Sequence, residues 1–144
     1  MCRQFLTQLR EQYEELTLTG AQLIVITPSN QLLLEKFSDA FGPFPFPIYG
    51  DPTRALYKKM GHETMAKWKL MAIAAKGFIK GGKKAFYPED ENQKKVVKIS
   101  LGTQDVFIQG GTWLYDEKGS IIWSHIDKSP EDHASMKVIF ENLP

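Results

Sequence analysis

Cys2-Arg3-Gln4-Phe5-Leu6-Thr7-Gln8-Leu9-Arg10 runs on through Tyr13 and Leu16 to Gly20, and then into Ala21-Gln22-Leu23-Ile24-Val25-Ile26-Thr27-Pro28-Ser29. Phe5, Leu6, Leu9, Tyr13 and Leu16 recur at steps of three and four, the spacing of one buried helix face. Cys2 precedes Phe5 by three residues and Leu6 by four, so it shares that face in the first turn. Backbone N–H groups there have no helical acceptor, and the partial positive charge they carry favours a thiolate. Arg3 acts in the same direction. Gly20 stops the helix, and Gln22 to Thr27 is an unbroken aliphatic run that predicts a strand buried on both faces of a parallel sheet.

Outward from this stretch, Ser29 is expected to cap a second helix with Leu33, Phe37, Ala40 and Phe41 inward, ended by Gly42-Pro43. Phe44-Pro45-Phe46-Pro47-Ile48-Tyr49 holds too many prolines for a central strand and predicts an extended edge segment. Asp51-Pro52 opens a short helix with Leu56, Tyr57 and Met60 inward, closed by Gly61. From Lys58 to Lys98, eleven lysines face only Glu63, Glu89, Asp90 and Glu91, a local charge of +7. Met65, Trp68, Met71 or Ala72, and Ala75 give a modest helical stripe in that segment. Its lysines read first as a solvated face, next as electrostatic steering of an anionic partner, and last as a membrane contact. Thr112-Trp113-Leu114-Tyr115 and Ile121-Ile122-Trp123-Ser124-His125 flank Glu117-Lys118-Gly119-Ser120, which predicts a hairpin. Ser129-Pro130-Glu131-Asp132 carries a cap and a proline at the first helical position, the signature of a helix start before Met136, Ile139, Phe140 and Leu143.

Three groups of residues carry a resemblance. The first is Cys-Arg at a helix start followed by Tyr-Glu-Glu-Leu and Gly-Ala-Gln-Leu-Ile-Val-Ile-Thr-Pro. The second is Gly50-Asp51-Pro52-Thr53-Arg54-Ala55-Leu56-Tyr57. The third is Gln109-Gly110-Gly111-Thr112-Trp113 with Ser124-His125 and Asp132-His133. Together they are similar to the peroxiredoxin-like branch of the thioredoxin superfamily, the alkyl hydroperoxide reductase/thiol-specific antioxidant group. Relatives carry a strand and a Cys-x-x-Cys ahead of this helix, so the resemblance implies a chain truncated at its amino terminus. The implied fold is α/β, a thioredoxin-like three-layer sandwich lacking the strand that normally precedes the cysteine helix. Its mixed sheet would hold Leu23 to Thr27, Val106 to Ile108, Thr112 to Tyr115 and Ile121 to Ser124. Residues 1–144 would form one domain with a basic inserted segment at about 62–98. Losing a central strand would leave unpaired edges, and hence a marginal domain unless another segment fills the gap.

The same resemblance implies thiol-dependent reduction of a hydroperoxide or lipid endoperoxide. Cys2 and Arg3 would be catalytic, and Gly110, Gly111 and Thr112 would meet the substrate where the loop opening the hairpin faces the cysteine. The implied partners are a peroxide-type small molecule and a reduced thiol carrier, with no cofactor; a dimer is left open. The Gly110-Gly111 pair fits a close approach of substrate and a β-bulge equally. His125 and His133 are expected to be structural, because no further His or Cys has metal-ligand spacing.

Composition sets limits on these readings. A chain of 144 residues with 42% hydrophobic and 12% aromatic content can bury a core without metal or disulfide help. Its single Cys excludes an internal disulfide and makes a reducing, cytoplasmic compartment the expectation. No apolar run approaches the ~20 residues that span a bilayer, and no nucleic-acid motif accompanies the lysines. A two-cysteine redox cycle is closed to a chain with one cysteine. The alternative function is therefore a catalytically degenerate thioredoxin-like binding or regulatory domain that has lost its reacting cysteine.

Overall fold

The structure is a computed structural model that describes residues 2–65, 90–103, 107–129 and 131–144, without the side chains of residues 2, 3, 101 and 103. Helices and short strands alternate along the chain, which is α/β in content. It divides into two compact units, Met1–Val25 with Pro45–Pro47 and Gln109–Pro144, and Ile26–Phe44 with Ile48–Ile108.

In the first unit the apolar face read from the sequence forms two consecutive helices, α1 (Cys2–Glu11) and α2 (Tyr13–Leu18). They meet at Gln12, whose backbone departs from helical geometry, yet the bonds Gln12 N to Gln8 O and Leu16 N to Gln12 O carry the ladder across. Leu6, Leu9 and Leu16 are buried, and Tyr13 sets its ring 5.6 Å from that of Phe46. Gly20 ends the run at φ +83°, a left-handed conformation that glycine adopts without a Cβ penalty.

The expected hairpin is present as β3 (Gly111–Tyr115) antiparallel to β4 (Ile121–Ile126), with Thr112 opposite His125 and Trp113 opposite Ser124. Asp116 shapes its turn by accepting the N–H groups of Lys118 and Ser120. A last helix, here α6 (Met136–Asn142), buries Met136 and Ile139. It starts later than the Ser129-Pro130 signature predicts, with Ser135 as the cap accepting from Val138 N. The reason is local. The Asp132 carboxylate accepts Lys128 N and the Asp132 carbonyl is bonded to His125, so both polar groups are committed to a turn.

The second unit contains α3 (Gln31–Phe41), β2 (Ile48–Gly50), α4 (Ala55–Lys59) and α5 (Glu91–Thr103). Asn30, not Ser29, caps α3 by accepting Leu33 N, and Leu33 and Leu34 are buried. Asp51 caps α4 with both carboxylate oxygens, taking the N–H of Ala55, Leu56 and Tyr57 at 3.0, 2.8 and 3.3 Å. Helix α5 was not anticipated within the lysine-rich segment. It is held to α3 by buried Val96 and by Gln93 Nε2 donating to Ala40 O at 3.0 Å. The remainder of the lysine-rich segment, residues 66–89, which includes the Trp68–Ala75 stripe, lies outside the described residues.

Strand β1 (Val25–Thr27) pairs with β2, and the bonds Val25 N to Pro47 O and Asp51 N to Thr27 O advance together along both chains, which makes the pair parallel. The strand is shorter than the aliphatic run and is not buried on both faces: Ile24 is 55% and Ile26 is 36% exposed. In place of the single mixed sheet expected, the described residues hold two two-stranded sheets, β1-β2 and β3-β4. Ile108 joins neither and forms an isolated antiparallel bridge with Thr64. Val106 is outside the described residues.

Candidate functional site

Cys2 and Arg3 occupy the first turn of α1, as the periodicity predicts. Three residues on, Phe5 stacks on His133 with ring centroids 4.8 Å apart and planes 14° from parallel. His133 lies in the turn between β4 and α6, and its Nδ1 is 2.7 Å from Asp127 Oδ2. An ionised carboxylate only accepts, so Nδ1 donates to it, and in the neutral ring the lone pair is on Nε2. Nε2 is buried and has no hydrogen-bond partner among the described residues.

Asp127 is the most buried of these groups, its side chain 4% exposed. A buried charge needs partners. Oδ2 has His133, while Oδ1 lacks a hydrogen bond and lies 3.7 Å from His125 Nε2. His125 is committed elsewhere: Nε2 donates to the Asp132 carbonyl at 2.8 Å, with Asp132 Oδ2 at 3.6 Å.

Gly110 and Gly111 are explained by this arrangement. A Cβ on Gly110 would stand 2.5 Å from Asp127 Oδ2, and one on Gly111 would meet the His125 carbonyl at 2.6 Å and the Trp113 indole at 2.7 Å. Asp127 N also donates to Gly110 O at 3.0 Å. The close approach that the glycines permit is thus by the protein's own groups. Thr112 follows within β3 in register with His125, and the register irregularity of the hairpin falls at Leu114/Tyr115, away from the glycines.

The sequence reading brought forward Cys2, Arg3, Gly110, Gly111 and Thr112, and treated the two histidines as structural. That description suits His125. It missed Asp127, although a signal was present: Trp123, His125 and Asp127 alternate with the more exposed Ile122 and Ser124. Period two therefore directs a carboxylate inward just past β4. Among the described residues no group of three or more His, Cys, Asp or Glu could hold a metal ion, and no helix is long and apolar enough to cross a membrane.

No curated protein and no solved structure matches the chain. A family model described as AhpC/TSA antioxidant enzyme matches residues 8–129, taking in the Gly110-Gly111-Thr112 strand, His125 and Asp127, and beginning after Cys2 and Arg3. With most of its length matched, the chain belongs to the AhpC/TSA antioxidant enzyme family, the peroxiredoxin-like branch of the thioredoxin-like proteins.

Proposed function

We propose that the protein is a thiol-dependent antioxidant oxidoreductase that reduces a hydroperoxide or lipid endoperoxide through Cys2. The family membership over residues 8–129 carries this reading. The location of the chain's sole cysteine in the first turn of a ten-residue helix supports the choice of residue. The thiolate attacks one peroxide oxygen, the O–O bond breaks, and the other oxygen leaves with a proton as an alcohol. With a hydroperoxide Cys2 becomes a sulfenic acid; with an endoperoxide both oxygens stay on the substrate and Cys2 becomes a sulfenate ester, from which the carrier thiol displaces the alcohol as it forms the mixed disulfide. A reduced thiol carrier condenses with the sulfenic acid, releasing water and forming the same mixed disulfide. A second thiol of the carrier then displaces Cys2 and leaves as the carrier's own disulfide. With no second cysteine in the chain, resolution falls to the carrier. In this reading Arg3 favours the thiolate, and the Gly110-Gly111-Thr112 loop forms the substrate side.

One observation favours the alternative of a non-catalytic binding domain: the family match begins after Cys2. The discriminating measurement is consumption of hydrogen peroxide and of an organic hydroperoxide with dithiothreitol or thioredoxin as reductant. The expected outcome is turnover by the native chain and loss of at least tenfold in Cys2→Ser with an unchanged melting temperature. Equal rates in the two folded proteins would leave the binding-domain reading.

A further inference from the structure

The inference that follows rests on the proposed reaction and concerns how its two sides are held relative to each other. We propose that Asp127 and His133 are positioning residues, a strut that fixes the helix carrying Cys2 against the Gly110-Gly111-Thr112 mouth of the hairpin. The contacts run through it without a gap. The Phe5 ring of α1 lies on the His133 imidazole with centroids 4.8 Å apart. His133 Nδ1 is 2.7 Å from Asp127 Oδ2. That same oxygen is so near Gly110 that a Cβ there would stand 2.5 Å from it, and Asp127 N donates to Gly110 O at 3.0 Å. The hairpin mouth is thus gripped by both main chain and side chain of Asp127, while α1 is held at the other end of the strut through its aromatic ring.

Packing alone does not account for the choice of groups. The Asp127 side chain is 4% exposed, and burying a carboxylate that far costs free energy that an apolar side chain would not. What the hydrogen bond adds is direction. It sets the plane of the imidazole, and with it the plane of the Phe5 ring, 14° from parallel. Phe5 belongs to the first turns of a helix that begins at Cys2, so fixing its ring fixes the backbone from which Cys2 is carried. The strut therefore acts on the two backbones and takes no part in proton transfer. The first turn of α1 and the hairpin mouth are the two sides of the proposed reaction, and a misplacement of about 1 Å between reacting groups costs on the order of a hundredfold in rate.

The test is steady-state reduction of an organic hydroperoxide by the full chain with dithiothreitol as reductant, compared among wild type, Asp127→Ala, Asp127→Asn and His133→Phe, each checked by circular dichroism. Asp127→Ala removes the strut at its centre, and His133→Phe keeps a ring for Phe5 but loses the hydrogen bond. Both should lower kcat/KM for the hydroperoxide by roughly tenfold or more and leave kcat/KM for dithiothreitol as it is, because the small reductant does not need the hairpin mouth. Asp127→Asn keeps an acceptor for Nδ1 and the same shape beside Gly110, so it should recover most of the loss. Folded variants with the wild-type constants overturn the proposal, as does an equal fall in both constants or an Asp127→Asn as impaired as Asp127→Ala. If Asp127→Ala does not fold, His133→Phe decides by the same criteria. If the wild-type chain reduces no hydroperoxide, the proposed reaction falls, and the strut is judged by NMR. Gly110→Ala should then shift the backbone amides of Phe5 and Leu6, and unmoved amides overturn it.

Discussion

Asp127 and Gly110 depend on each other, because a carboxylate buried at the end of a strand needs room and Gly110 provides it by having no side chain. Gly110→Ala should therefore displace Asp127 from His133. The expected loss of stability is roughly 1–3 kcal/mol, the usual cost of forcing extra atoms into a packed site. Chemical denaturation of the variant checks it, and an unchanged midpoint would mean that the carboxylate relaxes without strain. Part of the proposed site rests on residues that are conspicuous in the sequence. Cys2, Arg3 and the glycine pair stand out by type and spacing. His133 did not, because its pairing with Asp127 is made by a turn whose shape comes from the carbonyl and carboxylate of Asp132, and such turns leave no periodic trace.

At the level of elements, α4 exists because of its cap. With only five residues it has little helical stability of its own. Arg54, the residue before it, sits at φ +59°, and the Asp51 carboxylate gathers the N–H groups of the first turn. Partial burial pushes the Asp51 carboxyl up, but the N–H groups of Tyr57, Ala55 and Leu56 and the Thr53 hydroxyl outweigh it, so its pKa lies below the ordinary value of 3.8. A depressed folded-state pKa means that the carboxylate stabilises the fold above the unfolded value. This contribution is lost as pH falls through the lower folded value. Asp51→Ala should cost about 1–2 kcal/mol at neutral pH, and the difference from wild type should shrink in acid below pH 4. Thermal melts at neutral pH and in acid measure both, and a pH-independent difference would show that the charge is not what caps the helix.

The helices that could be read in advance were those with a strong apolar stripe. Helix α5, Glu-Asn-Gln-Lys-Lys-Val-Val-Lys-Ile-Ser-Leu-Gly-Thr, has Val96 as the buried hydrophobic among its described side chains, and its many polar residues resembled a solvated segment. Starts slipped by a residue or more wherever several capping side chains competed, as Ser29 did with Asn30.

For the molecule as a whole, the order of the described helices and strands was legible except for α5, but the division of the described strands into two sheets and of the chain into two units was not. Periodicity reports which face of a strand is apolar and says nothing about which strands become neighbours. Among the described residues the buried hydrophobic side chains are unevenly shared. Leu6, Leu9, Leu16, Phe46, Ala134, Met136 and Ile139 belong to the first unit, against Leu33, Leu34 and Val96 among the described residues of the second. Local opening is resisted chiefly by buried apolar contact. Amide hydrogens of Leu9, Leu16 and the β3-β4 ladder should accordingly exchange more slowly than those of α5 and β1. Hydrogen exchange resolved along the sequence tests this, and equal protection would mean that both units open together.

The stack of Phe5 on His133 joins positions 128 residues apart, one in the first helix and the other ahead of the last. A chain leaving the ribosome at roughly 5–20 residues per second presents the two rings on the order of ten seconds apart. The second unit, nearly continuous from Ile26 to Ile108, emerges whole in that interval. The helix bearing Phe5 must wait through that interval before its aromatic ring can be covered by the imidazole.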